Sequence, residues 1–373
     1  MNKKSKVILL PCNSYREEIV YENLEIGLEL LGGIENIVGK EESVLLKPNL
    51  LKKAEVDKAV ITHPTVVGMF ARLMREKGYQ DMALADSCGN GTTSKVIHGT
   101  GMDMYLEKLD IPAIDYTTGI HVDYPKGIQA KEFILPKELL EKDCVISLCK
   151  MKTHALERIT GAVKNSYGFV YGFHKAKGHT LYPSADSFAR MLVDLNQYVK
   201  PRLYIMDGIV AMEGNGPGSG DPAPMNVMLM SRDPVALDSV FCNLIHLNPE
   251  MVPTNYHGEK MGLGTWRSEE IEIVTPSGEI SMKDAVAQYG NPYFDVDRRV
   301  VRSGMWERLA KALNIFQKKR CIRCGICVKS CPVPDKAVDF RKGRENPPVY
   351  DYKKCIRCFC CQEMCPEKAI QVK

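Results

Sequence analysis

Over the first 289 residues, short apolar runs alternate with longer amphipathic stretches. Runs of strand length fall at 7–10, 43–47, 82–85, 145–148, 203–206 and 226–230. Helical periodicity fills intervals at 17–31, 64–77, 184–199 and 234–244, three of them entered through Pro or Ser. Strand and helix in repetition predict an α/β body with a mostly parallel sheet covered on both faces. Between 111 and 135 the pattern shortens to what reads as small antiparallel strands. Beyond Tyr289 the alternation stops. A linker precedes a helix around 304–316, whose Met305, Leu309, Ala312 and Phe316 share one face. Such a helix either straps the tail onto the body or lies on an anionic membrane surface, and its length and neighbours favour the strap.

No apolar run approaches the roughly 18 residues of a transmembrane helix. The basic start MNKKSK precedes too short an apolar core for a signal peptide, so a cytoplasmic protein is expected. With 26% charged and 45% hydrophobic residues, the 373-residue chain is neither disordered nor collagen-like. Two counts are uneven. Nine of the 14 cysteines lie in the last 53 residues. From Arg298 onward, 19 Lys/Arg face 7 Asp/Glu, a charge of +12, and the total of +4 leaves −8 for residues 1–297. The expected organisation is a body over 1–290, a linker and strap over 291–320, and a separate basic, cysteine-rich module over 321–373.

That module contains an internal repeat. CIRCGICVKSCP (321–332) and CIRCFCCQEMCP (355–366) agree at seven of twelve positions, and each is C-x2-C-x2-C-x3-C-P. Three cysteines at this spacing wrap one face of an iron–sulfur cubane, while the fourth points to the other cluster. Cys321, Cys324, Cys327 and Cys365 are thus expected to hold one [4Fe–4S] cluster, and Cys355, Cys358, Cys361 and Cys331 a second. Zinc does not need eight cysteines in two such runs, and disulfides would require an oxidising compartment. The segment resembles the bacterial two-cluster ferredoxins, a small α+β fold. Phe359 and Cys360 replace Gly325 and Ile326 of the first motif, which makes the second loop bulkier and adds a ninth thiol. Two clusters form a one-electron wire, and oxygen-sensitive chemistry in an anaerobe is expected.

Open α/β sheets bind ligands beyond the carboxyl ends of their strands. The residues expected there are Lys47 and Asn49, Asp86 within DSCGNG, Lys152 and His154, Lys164 and Asn165, and Asp207 leading to Glu213 and Asn215. His154 with Lys152 is the foremost catalytic pair, since histidine titrates near neutrality and a lysine in a dry pocket can become a base. His63, His174 and His179 are further candidates. The carboxylates are either metal ligands, acid/base groups or helix caps. Asp233 with Pro234 opens a helix, and Asp238 lies one turn in. Neither glycine-rich loop has P-loop or dinucleotide spacing.

Together, KPNL (47–50), ADSCGNG (85–91), KTH (152–154), TGAVKN (160–165), MDGIVAMEGNGPGSG (206–220) and DPVALD (233–238) resemble the bacterial and archaeal domain-of-unknown-function family 362. Its members often carry a C-terminal two-cluster module. The resemblance implies that Lys47, Asn49, Asp86, Lys152, His154, Lys164, Asn165, Asp207, Glu213, Asn215 and Asp238 line one site. It supplies no reaction. Cys88 departs from the Asp-Ser-Pro commoner in the family.

The expected function is electron transfer between two clusters and a body site for a small anionic, carbonyl-containing or metal-bearing ligand. In it Lys47, Lys152 and Lys164 supply positive charge, His154 moves a proton, and Asp86, Asp207 or Glu213 orient the ligand. The alternatives are a non-catalytic carrier or scaffold that docks a partner oxidoreductase, or a factor that delivers a cluster or metal. The expected partner is a redox protein or a small molecule. Nucleic acid is not expected, because the basic tail lacks a binding motif or interleaved aromatics.

Overall fold

The computed structural model describes residues 4–172, 174–299 and 314–372. The body is built on a nine-stranded sheet. Its strands are β1 (Ser5–Pro11), β2 (Val44–Pro48), β3 (Met82–Leu84), β6 (Cys144–His154), β7 (Arg158–Ile159), β8 (Leu203–Glu213), β9 (Asp221–Ser231), β10 (Ile271–Thr275) and β11 (Gly278–Ile280). Their order is β11-β10-β1-β9-β8-β6-β2-β3, with β7 hanging from β6. Strands β1, β2, β3, β6, β8 and β10 point the same way, while β7, β9 and β11 run against them. The sheet is mostly parallel, as the alternation predicts. The remaining pair, β4 (Gly119–Asp123) and β5 (Glu132–Pro136), is an antiparallel hairpin in the stretch that reads as short strands.

Burial on both faces explains the apolar runs. In β1, Ile8 and Leu10 pack toward helices Glu17–Leu30 and Pro64–Glu76, while Val7 and Leu9 face the opposite layer with helix Pro234–Leu244. Helix Ala185–Val199 covers that second face farther along, through Phe188 and Leu192. The helix starts are capped as their sequences imply. Asp233 Oδ1 accepts the N–H groups of Val235 and Ala236, both at 2.9 Å, with Pro234 at the first helical position.

Two expectations need correction. Strands β6 and β8 are 11 residues long and continue well past the apolar runs. Lys150, Lys152, His154 and Asp207 therefore sit on strands, not on the loops after them. Their polar side chains interrupt the hydrophobic pattern, yet each is buried with partners, so the strands carry on through them. The expected strap helix lies mostly outside the described residues, and its last part is β12 (Asn314–Phe316), a strand paired with β15 (Ile370–Val372). The tail also holds the pair β13 (Val338–Asp339) and β14 (Val349–Tyr350), plus short helices Ile326–Lys329 and Cys360–Glu363. Before the tail, Phe294 belongs to the body's core and meets Phe241 edge-on at 6.3 Å.

Candidate cluster sites and a lysine-lined cleft

The tail cysteines surround two cavities. Cys321, Cys324, Cys327 and Cys365 line one of about 320 Å³; Cys331, Cys355, Cys358 and Cys361 line another of about 280 Å³. All are free thiols. The loops turn inward through matched left-handed residues, Arg323 and Gly325 in the first and Arg357 and Phe359 in the second. Sulfur-directed donors are also present: Ala369 N lies 3.3 Å from Cys365 Sγ, and Tyr350 Oη 3.2 Å from Cys361 Sγ. Soft donors in fours around each small cavity, with hydrogen-bonding groups at sulfur, fit [4Fe–4S] binding.

A cleft of about 330 Å³, counted to its mouth, opens beyond the ends of β2 and β3 and beside β6. Four lysines line it, Lys47, Lys152, Lys164 and Lys175, against one carboxylate, Asp86. Lys47 Nζ lies 2.9 Å from Asp86 Oδ1 and donates to Asn165 Oδ1 at 3.0 Å. Asn49 joins the same network, donating to Asn165 Oδ1 at 2.9 Å and accepting from Lys152 Nζ at 2.8 Å. Lys152 donates also to Val60 O. Burial, followed by the nearby Lys164 charge, pushes the Lys152 ammonium well below its ordinary range. Lys175 donates to Ser87 O, and burial lowers it to about 8 against the opposing pull of Asp86. Thr160 is buried on the cleft wall, and its Oγ1 has no hydrogen-bond partner among the described residues. An excess of ammonium groups with a free hydroxyl suits a small anion.

The second cysteine loop packs beside this cleft. Glu363, between Cys361 and Cys365, places Oε1 3.1 Å from His154 Nε2, and both side chains are buried. The contact is close without a well-aligned hydrogen bond. His154 Nδ1 accepts from the backbone N–H of Leu156 and Glu157 at 3.1 and 3.2 Å, which puts the ring proton on Nε2. Burial lowers this imidazole to about 4, so it is neutral at physiological pH. Beneath it Glu157 is buried with neither carboxylate oxygen partnered, and burial holds it far above the usual carboxylate range. Tyr167 lines the cleft wall, and burial, reinforced by neighbouring acidic groups of the second cysteine loop, raises its hydroxyl well above the usual range.

The structure gathers Lys47, Asn49, Asp86, Lys152, Lys164 and Asn165 at the cleft and sends the other expected residues elsewhere. Asp207 is saturated in the core by Lys150 Nζ at 2.6 Å, Tyr15 Oη at 2.8 Å and His63 N at 3.0 Å. Asp238 accepts the N–H groups of Ala162 and Val163 at 2.5 and 3.0 Å, and so fixes the start of the TGAVKN turn. Glu213 accepts from Asp295 N at 2.9 Å. Asn215 docks the tail, donating to Ile370 O at 2.9 Å, while its own carbonyl accepts from Gln362 Nε2 at 2.8 Å. Sequence reasoning missed Lys175, Tyr167 and Glu363. Only Glu363 had a signal: it stands where the first motif has Lys329.

Comparison with known proteins agrees with both parts. A family model described as domain of unknown function (DUF362) matches residues 44–243, and one for a 4Fe-4S dicluster domain matches 313–366. The thylakoid-associated protein sll1697 of Synechocystis sp. is 36% identical over 264 residues, which cover 70% of this chain and 81% of that protein. Among solved structures, the lactate racemase apoprotein from Thermoanaerobacterium thermosaccharolyticum gives a TM-score of 0.41 at 12% identity, over 64% of this chain and 56% of that one. A Thermotoga maritima protein gives 0.36 at 13%, over 57% and 54%. The chain thus spans little more than half of each of these two.

Proposed function

The chain belongs to the DUF362 family and carries a 4Fe-4S dicluster domain, and from that premise we propose an electron-transfer protein whose clusters exchange electrons with a small anion in the lysine cleft. Bound [4Fe–4S] clusters supply one-electron storage and relay. We assign Cys321, Cys324, Cys327 and Cys365 to one cluster and Cys331, Cys355, Cys358 and Cys361 to the other, a division supported by the two cavities. Lys152, Lys164 and Thr160 bind the anionic group, while Asn49 and Asn165 hold Lys152 and Lys47 in place. Asp86 serves as counter-ion to Lys47. With its value near 8, Lys175 is the group best suited to give a proton to a ligand gaining electrons at neutral pH. His154, neutral with its proton on Nε2, faces Glu363 at 3.1 Å.

The observation that carries this function is proximity: Glu363 leaves the second cysteine loop and ends against His154 on β6, two residues from the Lys152 that lines the cleft. A reducing compartment such as the cytoplasm fits fourteen free thiols. No helix among the described residues is long and apolar enough to cross a membrane.

The test is oxidation of the anaerobically reconstituted, reduced protein by small carboxylates bearing a reducible carbonyl, the 2-oxo acids, followed by visible absorbance. We expect turnover with at least one 2-oxo acid, lost in Lys164→Ala, while a neutral quinone oxidises both proteins alike. Oxidation by no 2-oxo acid, or equal rates in Lys164→Ala, overturns the assignment of substrate to this cleft.

A further inference from the structure

A second concavity lies where the tail meets the body, and it differs from the cleft in its width and in the exposure of its charges. It is wide, about 1140 Å³ counted to its mouth. Lys52, Lys53, Lys58, Lys95 and Lys368 line it against Glu55. Lys52 is pinned by Glu363 O at 2.8 Å and Cys365 O at 3.3 Å, and Lys368 by Gly220 O at 2.6 Å. Lys53, Lys58 and Lys95 stand exposed at the rim, Lys58 with Asp57 at 3.0 Å. Among the described residues, no buried, unpartnered side chain lines this groove, in contrast to Thr160 in the cleft. Exposed charge of net positive sign around a broad opening steers and orients a large partner; it does not grip a small one.

The tail residues on its wall say where such a partner would stand. Ile326 adjoins Cys327, and Met364 and Pro366 flank Cys365, and both cysteines line the same cavity. No chain neighbour of Cys355, Cys358 or Cys361 reaches the groove, so the cysteine closest to it from the second run is Cys365, a member of the first cavity.

We propose that this groove is the docking face for an acidic one-electron carrier protein, which exchanges electrons at the Cys321, Cys324, Cys327 and Cys365 site. Resting on the electron-transfer function above, it gives that function a direction in space. The carrier meets the cavity of Cys321, Cys324, Cys327 and Cys365, while Glu363 of the second loop meets the body beside the cleft. Charge complementarity selects the partner: the groove is a basic basin on an otherwise acidic body.

The experiment uses a flavodoxin, an acidic protein with one flavin, and the full-length protein reconstituted anaerobically. Equilibrium binding is measured first, then stopped-flow electron transfer from the photoreduced protein to oxidised flavodoxin. In that step one reduced cluster loses one electron, and the flavin gains it together with one proton from water. Binding and rate should both fall with rising salt. Charge reversal in the Lys53→Glu, Lys58→Glu, Lys95→Glu triple variant should lower both by about tenfold or more. Oxidation by a neutral quinone should not change. A Lys342→Glu, Arg344→Glu variant, altered on exposed tail residues that do not line the groove, should behave as wild type. Rates within twofold of wild type in the triple variant, or equal losses in both variants, overturn the docking site. Oxidation by quinone with no transfer to flavodoxin overturns it too and leaves the electron-transfer function standing. Failure with both oxidants defeats that function as well.

Discussion

His154 Nε2 on β6 lies 3.1 Å from Glu363 Oε1, so a central strand of the body and the loop between Cys361 and Cys365 meet through one buried pair. The facing His154 ring and, after it, the Lys164 charge hold the Glu363 carboxyl well below the usual range even though burial opposes ionisation. Replacing Glu363 by Lys, the residue at the matching place in the first motif, would bury a cation among cations. Its cost should be about 3–5 kcal/mol of tail docking. Small-angle scattering should show an expanded particle for Glu363→Lys and a compact one for Glu363→Gln. Equal compactness of both variants would contradict the docking role.

The Lys47–Asp86 pair is enclosed by backbone. A Cβ on Gly168 would sit 1.9 Å from Asp86 Oδ1 and 2.6 Å from Lys47 Nζ. Gly168→Ala should therefore part the pair and cost about 3–5 kcal/mol, since an uncompensated charge is left buried. Thermal unfolding checks this, and a melting temperature within a degree or so of wild type would show that the pair yields without breaking.

Phe359 occupies a left-handed conformation, φ 62°, where the first loop has Gly325 at φ 77°. Alanine there would lose the buried ring and keep the strain, while glycine would lose the ring and shed the strain. Phe359→Gly should thus be more stable than Phe359→Ala by about 1 kcal/mol, the reverse of the usual order. Comparison of the two unfolding curves decides it.

Much of this was legible because the relevant physics is local. Buried parallel strands read as apolar runs, Asp233-Pro234 as a capped helix start, and the cysteine spacing as a 4Fe-4S dicluster domain. The ends of β6 and β8 were not legible. Lys150 with Asp207 and Lys152 with Asn49 are buried by partners about 57 and 103 residues away, and no local pattern announces a satisfied charge. Lys175 and Tyr167 reach the cleft only through the tertiary course of the chain. At the tail interface the sequence carried more than was used. The five positions at which the second motif departs from the first are Phe359, Cys360, Gln362, Glu363 and Met364. Gln362 and Glu363 contact the body directly, Met364 lies against Gly89, and Cys360 lies near Tyr167. A broken repeat marked the docking face.

His179 is buried, stacked on Phe188 at 4.6 Å, and lowered to about 3, chiefly by burial. Its folded pKa lies below the ordinary 6.5, so the unfolded chain binds the extra proton. The stability it permits is complete above pH 6.5 and is lost as pH falls toward 3. His179→Phe should remove that dependence. Between pH 7.5 and 5.5 its melting temperature should fall less steeply than that of wild type, by about 1 kcal/mol of stability per pH unit at the acid end. Parallel curves would mean that His179 is not neutral in the fold.

The coupling of clusters to cleft is tested most directly by potentiometric EPR of the reconstituted protein, with and without inorganic phosphate or oxalate as the cleft anion. An anion beside a cluster disfavours adding an electron. The account predicts two one-electron centres, of which one shifts to lower potential when the anion binds, and predicts that Lys164→Ala abolishes the shift. A single centre, failure of both anions to bind, or binding that leaves both potentials unmoved would contradict it.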